Sequence, residues 1–392
     1  VRNVVIAAGA RTPIGKFNGS LAGIPAVDLG THVVREALKR AGVAPTEVNE
    51  VIMGHVVQAG TGSNTARQVL IKAGIPTSVP ACTVNKVCAS GMKAVTLGAL
   101  SIAAGEQEVV VAGGMESMNS APYLLQKARW GYRLGDEQLV DSLLRDALQD
   151  PMDLGHMGMT AENLAAEFRI SRRDQDEFAT ESHRRAAEAI RAGRFSSEIV
   201  PVEIPQKKGP PQLFSTDEGP RPDTTVEVLT KLKPAFKPDG TVTAGNSSSI
   251  NDGAAALVLL SADEARRRGI KPLARIRSWA SAGVEPSRMG YGPVPAVRAA
   301  LAKSGLTLSD MGAIELNEAF AAQSLAVIRE LKLDTGRTNM NGGAIALGHP
   351  VGASGARIMV TLLHIMTAKD LRYGLATLCV GGGQGMAIIL ER

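Results

Sequence analysis

The sequence predicts an α/β protein built from two similar halves, with a polar segment set between them. Three observations carry this. Strand-like and helix-like stretches alternate through most of the chain, the same strand–helix–strand order occurs twice at matching offsets, and the composition shifts over residues 121–249.

Taken in order, Val1-Arg2-Asn3-Val4-Val5-Ile6 opens as a strand and lacks the charged-then-apolar layout of a signal peptide. Gly42-Val43-Ala44-Pro45-Thr46-Glu47-Val48 leads to the apolar run Val51-Ile52-Met53-Gly54. In the second half Gly305-Leu306-Thr307-Leu308-Ser309-Asp310-Met311 leads to Ile314-Glu315-Leu316-Asn317. Thirty-five residues after Gly54 comes Ala89-Ser90-Gly91, and 36 after Asn317 comes Ala353-Ser354-Gly355. Each Ala-Ser-Gly opens an apolar helical run. Each run is followed by a strand ending in glycines, Val109 to Gly114 in one half and Ala376 to Gly382 in the other.

Between the halves, residues 121–249 carry 17 Lys/Arg against 20 Asp/Glu, whereas the other 263 residues share 44 charges and hold 33 of the 42 glycines. Eight of the 20 prolines fall between Pro201 and Pro238. This reads as a loop-rich insertion. Thr160-Ala161-Glu162-Asn163 is expected to open one of its helices, and Ser171-Arg172-Arg173-Asp174 another, with a capping signal.

The chain has 392 residues, enough for two or three domains and a large core. Aromatics, at 3%, are too sparse for platforms that stack single-stranded nucleic acid. The net charge of +5 is spread thinly, and Arg266-Arg267-Arg268 reads as a solvated helix end, so no nucleic-acid partner is expected. Three cysteines argue against a disulfide framework and for a reducing, cytoplasmic setting. No apolar run is expected to approach the ~18 residues of a membrane span. The last residues, Leu390-Glu391-Arg392, carry no address motif. No Cys or His pair has zinc-ligand spacing, so no metal is expected.

Cys88 stands between a strand-like stretch, Pro80 to Val84, and a helix from about Ala89 to Ala104 that is apolar on nearly every face. A cysteine where a buried helix begins meets free N–H groups and the positive end of the macrodipole, and both favour the thiolate. Without such a setting a cysteine is a small core residue, the expectation for Cys82. His349 lies in Asn341 to Gly352, where flanking glycines and the following proline force a loop that backbone or ligand can approach closely. Cys379 ends a strand and meets Gly381-Gly382-Gly383-Gln384-Gly385. That run suits a phosphate or an oxyanion, but without a following Lys-Ser/Thr it is not a P-loop. Asn317-Glu318-Ala319-Phe320 is either a helix cap or part of a site. The repeat is unequal here. Cys88 is matched by Gly352 and Gly54 by Asn317, which points to one site at the seam between the halves.

Val84 to Ala94 around Cys88 resembles the nucleophile motif of thiolases. Gly113-Gly114-Met115-Glu116-Ser117-Met118 resembles their next segment, and Asn317-Glu318-Ala319-Phe320, Gly348-His349-Pro350 and Cys379-Val380-Gly381-Gly382-Gly383 resemble their other active-site loops, in family order. The resemblance covers essentially the whole chain. It implies a duplicated five-layer αβαβα fold with an inserted loop domain. The expected division is 1–120 completed by 250–270, the insertion at 121–249, and 271–392.

The resemblance also implies roles. Cys88 becomes acylated, His349 activates it and helps hold the thioester oxyanion, and Cys379 moves the α-proton of the second acetyl group. Asn317 positions a water in one oxyanion hole, and backbone N–H groups of Cys88 and Gly381 form another. His156, Met157, Leu148, Arg221, Ser248, Ala319 and Phe320 match coenzyme A and acyl contacts. At one position the chain departs: a serine that in some relatives bonds near the adenine aligns with Val228, so that end is held more loosely or through water. The implied reaction joins two acetyl-CoA into acetoacetyl-CoA and free coenzyme A, with no cofactor, in a homotetramer arranged as a dimer of dimers. A broader 3-ketoacyl-CoA thiolase and a non-catalytic acyl-CoA-binding protein are the alternatives. The ketoacyl synthases, which share the fold, use a second histidine where this chain has Asn317 or Cys379.

Overall fold

The structure, a computed structural model, describes residues 2–152 and 154–392, so Val1 of the expected opening strand lies outside it. The first third runs β1 (Val4–Arg11), β2 (Gly15–Lys16), α1 (Ala26–Ala41), β3 (Glu50–Gly54), α2 (Thr65–Ala73), β4 (Ala81–Val84), α3 (Ser90–Ala104) and β5 (Val109–Ser117). The middle holds two ribbons, β6 (Tyr123–Leu124) with β7 (Val140–Asp141) and β8 (Val202–Ile204) with β9 (Gln212–Phe214). Its helices are α4 (Gly158–Glu167), α5 (Arg172–Arg191) and α6 (Val226–Leu229). The last third runs β10 (Asn251–Ser261), α7 (Ala262–Arg267), β11 (Ala274–Gly283), α8 (Pro293–Ser304), β12 (Ala313–Leu316), α9 (Ala321–Leu331), α10 (Ala344–Leu347), α11 (Val351–Ala368), β13 (Tyr373–Val380) and β14 (Gln384–Glu391).

The strands line up as β12-β13-β14-β11-β1-β10-β5-β3-β4. In each half the outer pairs are parallel (β3 with β4 and β5, β12 with β13) and the pairs nearer the seam antiparallel. The two half-sheets join through Val5 opposite Arg275 and Ile6 opposite Ala274, where the Leu273 N–H also donates to the Ile6 carbonyl at 2.8 Å. Strand alternation sorts the side chains into layers. Ala255, Leu257 and Leu259 of β10 face one way, with Ala376, Leu378 and Val380 of β13 and Met386, Ile388 and Leu390 of β14, into one central core. That core is filled by α3 and α11. The other face of the first half-sheet packs on α1 and α2, and that of the second on α8 and α9. The result is helix, sheet, helix, sheet, helix, as expected.

The central helices explain why Ala-Ser-Gly occurs twice. A Cβ on Gly91 would sit 2.8 Å from the backbone nitrogen of Ala356, and one on Gly355 2.6 Å from that of Met92. The two helices cross at these glycines. Being surrounded by apolar neighbours also makes these helices uniformly hydrophobic. Val87–Ala104 and Val351–Ala368 are long and apolar enough to cross a membrane, contrary to the expectation of no such run. They are mostly buried as the middle layer, which accounts for their composition.

Three smaller expectations change. Helix α4 starts at Gly158, two residues before Thr160, because His156 Nδ1 accepts from the Gly158 N–H at 3.0 Å and satisfies the first turn early. Cys82 is exposed rather than in the core, since β4 is the edge strand. Arg268 is largely covered and pairs with Glu47 and Glu264, while Arg266 and Arg267 stay in solvent. The capping box at the start of α5 forms as expected: the Ser171 hydroxyl accepts from the Asp174 N–H while Asp174 accepts from the Ser171 N–H.

Candidate active site

Cys88 lies in the turn from β4 to α3, one residue after a backbone outlier. Val87 has φ of 46°, a left-handed conformation that a β-branched residue rarely adopts. Side chains on both sides hold it there. The Val87 N–H donates to Asn85 Oδ1 at 2.9 Å, and Ser90 Oγ donates to the Val87 carbonyl at 2.6 Å while accepting from the Lys86 N–H at 2.8 Å. A strained turn fixed this way aims the next side chain at a set position.

Backbone N–H groups of Gly381 and of Cys88 itself point at the sulfur and lower its pKa, as a helix start should. Burial outweighs them and pushes the thiol up to about 11, with the Glu116 carboxylate adding to the rise. This corrects the expectation of a resting thiolate. Desolvation penalises the anion more than two donors can repay, so the sulfur needs a base. Cys379, fully buried at the end of β13, is raised well above the usual thiol value, first by burial and then by the neighbouring Cys88.

His349 is 7% exposed, in the loop between α10 and α11. Its N–H donates to Asn251 Oδ1 at 2.9 Å, its Nδ1 lies 2.6 Å from Ser354 Oγ, and its Nε2 lies 3.5 Å from Asn317 Nδ2. Burial, with the Arg357 guanidinium adding to it, holds the imidazole down at about 4, so it is neutral at rest. Gly348 precedes it at φ 111°, and a Cβ there would strike the Asn251 amide at 2.5 Å. Asn317 is not a helix cap, because α9 begins three residues beyond Glu318 with Phe320 as its N-cap. Its loop is pinned instead by Glu318, which accepts from Ser182 Oγ (2.7 Å), Asn339 Nδ2 (2.8 Å) and the Ile345 N–H (3.2 Å). The Asn317 Oδ1 is buried with no hydrogen-bond partner among the described residues.

Cys88, His349 and Cys379 line one cavity of about 450 Å³. Leu148, His156, Met157, Arg221, Ser248, Ala319 and Phe320 line it too. Gly381 borders Met157 closely: a Cβ on the glycine would lie 2.5 Å from Met157 Cε. The chain brings Leu148, His156 and Met157 together by folding back on itself, with the Met157 N–H donating to the Leu148 carbonyl at 2.9 Å. Ser248 is tied to the Asn317 loop through Ala319, whose carbonyl accepts from both its N–H and its hydroxyl at 3.0 Å. Val228 is exposed on α6 and outside this cavity.

Sequence reasoning missed Met289, Phe236 and Ser247, which also line the cavity. Phe236 stacks on His156 with centroids 4.5 Å apart and meets the edge of Phe320 at 6.1 Å. Met289 sits in a short 3-10 turn, Pro286–Tyr291, and Phe236 in a loop, both too short or irregular for a periodic pattern to mark them. No group of three or more His, Cys, Asp or Glu suited to a metal occurs among the described residues.

Comparison with known proteins agrees with this geometry. Residues 4–263 match the thiolase N-terminal domain and residues 270–392 the thiolase C-terminal domain. An acetyl-CoA acetyltransferase of Pseudomonas aeruginosa is 57% identical over 392 residues, covering 100% of both chains. The crystal structure of the Bacillus anthracis acetyl-CoA acetyltransferase superposes with a TM-score of 0.98 at 48% identity, covering 100% of this chain and 98% of that one. Human mitochondrial 3-ketoacyl-CoA thiolase superposes at 0.96 with 45% identity, covering 100% and 98% respectively. With both domains matched along nearly its whole length, the chain belongs to the thiolase family.

Proposed function

We propose that this enzyme is an acetyl-CoA C-acetyltransferase: it joins two acetyl-CoA into acetoacetyl-CoA and coenzyme A, and runs the reverse thiolysis, through an acetyl group held on Cys88. The observation that carries the reading is the convergence of two buried thiols and one neutral imidazole on a single cavity. Joining two thioesters requires one acyl group to wait covalently while the other is ionised.

In the first stage Cys88 attacks the acetyl carbonyl and His349 Nε2 takes its proton. The carbon–sulfur bond to the coenzyme breaks, and the departing sulfur takes the proton of Cys379. In the second stage the Cys379 thiolate removes an α-proton from the next acetyl-CoA, a task for which its high pKa makes it a strong base. The resulting carbon attacks acetyl-Cys88, and the freed Cys88 sulfur recovers its proton from His349. All protons return, and one coenzyme leaves in each cycle. The imidazolium and Asn317 face the enolate oxygen. The N–H groups of Cys88 and Gly381 face the acetyl-Cys88 oxygen, where one lost donor typically costs ~3 kcal/mol.

The coenzyme enters past segment 121–249, the proposed loop domain, between a first half of 1–120 completed by 250–270 and a second half of 271–392. Arg221, exposed at the cavity, suits a coenzyme phosphate. Tyr123, Leu125, Trp130, Leu134, Leu139 and Met152 are all exposed in one stretch of that segment, which supports burial against other copies in a homotetramer. The proposed setting is the cytoplasm, with no resident cofactor. A longer-chain 3-ketoacyl-CoA preference is the second reading, favoured by Met157 and Met289, adaptable walls that could yield to a larger acyl group.

Mass spectrometry after incubation with acetyl-CoA tests the core of the proposal. A 42 Da adduct is expected on the Cys88 peptide (about the mass acetylation adds by acyl transfer), and its absence refutes the covalent route. Cleavage rates on 3-ketoacyl-CoA of increasing length decide between the two substrate ranges.

A further inference from the structure

We infer that Ser354 is a positioning residue that fixes the tautomer of His349, placing the ring proton on Nδ1 and leaving Nε2 bare to act as the base. The inference rests on the active-site reading above. The internal repeat supplies the argument. Ser90 and Ser354 occupy the same place in the two Ala-Ser-Gly helix starts. Ser90 Oγ meets the Lys86 N–H at 2.8 Å, and an amide can only donate, so the hydroxyl accepts there and its single proton goes to the Val87 carbonyl at 2.6 Å. Ser354 likewise bonds back into its own turn, one residue further: its Oγ donates to the Pro350 carbonyl at 2.9 Å and lies 2.6 Å from His349 Nδ1, whose ring stands where the Lys86 N–H donates to Ser90, since Pro350 has no N–H to give. With its proton on the carbonyl, Ser354 accepts from Nδ1–H. Nε2 is then unprotonated, facing the Asn317 amide at 3.5 Å.

The other histidine of the cavity is set the opposite way. His156 Nδ1 accepts from the Gly158 N–H, so its Nε2 carries the proton. The cavity therefore holds two neutral rings with different duties, His349 presenting a lone pair and His156 a donor. Neither assignment is visible from ring position alone. Each follows from what the far nitrogen touches.

The test compares Ser354→Ala, Ser354→Thr and His349→Asn with the wild type. Two rates are measured at pH 7: alkylation of Cys88 by iodoacetamide, followed on the Cys88 peptide so that exposed Cys82 does not contribute, and cleavage of acetoacetyl-CoA. Ser354→Ala is expected to slow both alkylation and kcat by ~10- to 100-fold, the scale of a misdirected general base, with KM within about twofold. Ser354→Thr keeps a hydroxyl able to bond back to Pro350 and should restore most of the loss. Wild-type rates in Ser354→Ala, or no recovery in Ser354→Thr, overturn the inference. His349→Asn separates the two levels. If it leaves Cys88 alkylation unchanged, the reading of His349 as the base fails. If it slows alkylation while Ser354→Ala does not, only the role of Ser354 fails. Should Ser354→Ala not fold, ¹⁵N spectra of the wild-type ring, assigned by the signals lost in His349→Asn, decide: a protonated Nδ1 supports the inference and a protonated Nε2 overturns it.

Discussion

The starts of α3 and α11 are two versions of one structure put to different uses. Both carry Ala-Ser-Gly near their start, at the cap and first turn of α3 and two residues into α11, and both cross at the glycine. Both serines hydrogen-bond back into the preceding turn. At α3 the residue before the motif is Cys88, and its neighbours leave the sulfur open to the cavity. At α11 the matching residue is Gly352, whose N–H donates to Glu116 Oε2 at 2.8 Å. Glu116 also accepts from the Val56 and Val57 N–H groups and faces His55 Nε2 at 3.3 Å. The anion-binding end of the second helix is thus filled by a carboxylate of the chain itself, while that of the first opens to the cavity at Cys88. The strands differ in the same way. A Cβ on Gly54 would lie 2.5 Å from the Gly91 nitrogen, whereas its counterpart Asn317 uses that space for an amide beside His349. Duplication supplied the frame, and specialisation consisted of plugging one copy and lending its loops to the other.

The sharpest way to break this comparison is to exchange its terms. Cys88→Ala should lower kcat by ~10³-fold or more, as loss of a nucleophile does, while leaving the thermal midpoint close to wild type. A large loss of stability with residual turnover would make Cys88 a packing residue instead. Gly352→Ala should do the reverse. Its Cβ would meet the Met115 carbonyl at 2.7 Å and Glu116 Oε2 at 2.8 Å, so the backbone must give way at a cost of ~1–3 kcal/mol. Denaturant titration reads that loss, and a stable Gly352→Ala protein would mean the second helix start is not filled as described.

An effect of similar size but different place is expected where the plug itself is weakened. Glu116→Gln keeps the shape but turns an NH₂ group toward one of the backbone donors, at about 1–3 kcal/mol for a buried group left without its partner. Hydrogen exchange should show the loosening at the Val56, Val57 and Gly352 amides rather than at the amides of α3. Equal loosening at both helix starts would remove the asymmetry argued above.

Much of this was legible in the sequence because the repeat offsets, the glycine-ended strands and the loops around Cys88, His349, Cys379 and Asn317 are local patterns. What stayed hidden depends on contacts across the fold. Glu116 was seen as part of a motif, but its partner Gly352 lies 236 residues away. Phe236 reaches the cavity from a loop and Met289 from a 3-10 turn, neither with a period to read. The charge state of Cys88 differs from the sequence expectation for a physical reason. The helix start is visible in a sequence, whereas the depth of burial that outweighs it is set by the complete fold. The exposure of Cys82 is equally hidden, because nothing local shows that β4 ends the sheet.

Acid should distinguish the two helix starts most gently. His349, just before α11, is held neutral at about 4, first by burial and then by Arg357, against about 6.5 for an unfolded histidine. Between these values the unfolded chain binds the proton and the folded one does not, so stability rises with pH across the window. The contribution is complete above pH 6.5 and is lost as the pH falls through 4. Cys88, at about 11, stays protonated throughout and contributes nothing to this slope. His183, held at about 4 by burial and by Arg221, adds a second depressed imidazole to the same limb. Unfolding midpoints measured from pH 7 to pH 4 should therefore fall less steeply in His349→Asn than in the wild type, with the remaining slope reduced again by His183→Gln, and Cys88→Ala should follow the wild-type curve. An acid limb that is unchanged in His349→Asn would show that the α11 start carries no buried neutral imidazole, and the two helix ends would then differ by their carboxylate plug alone.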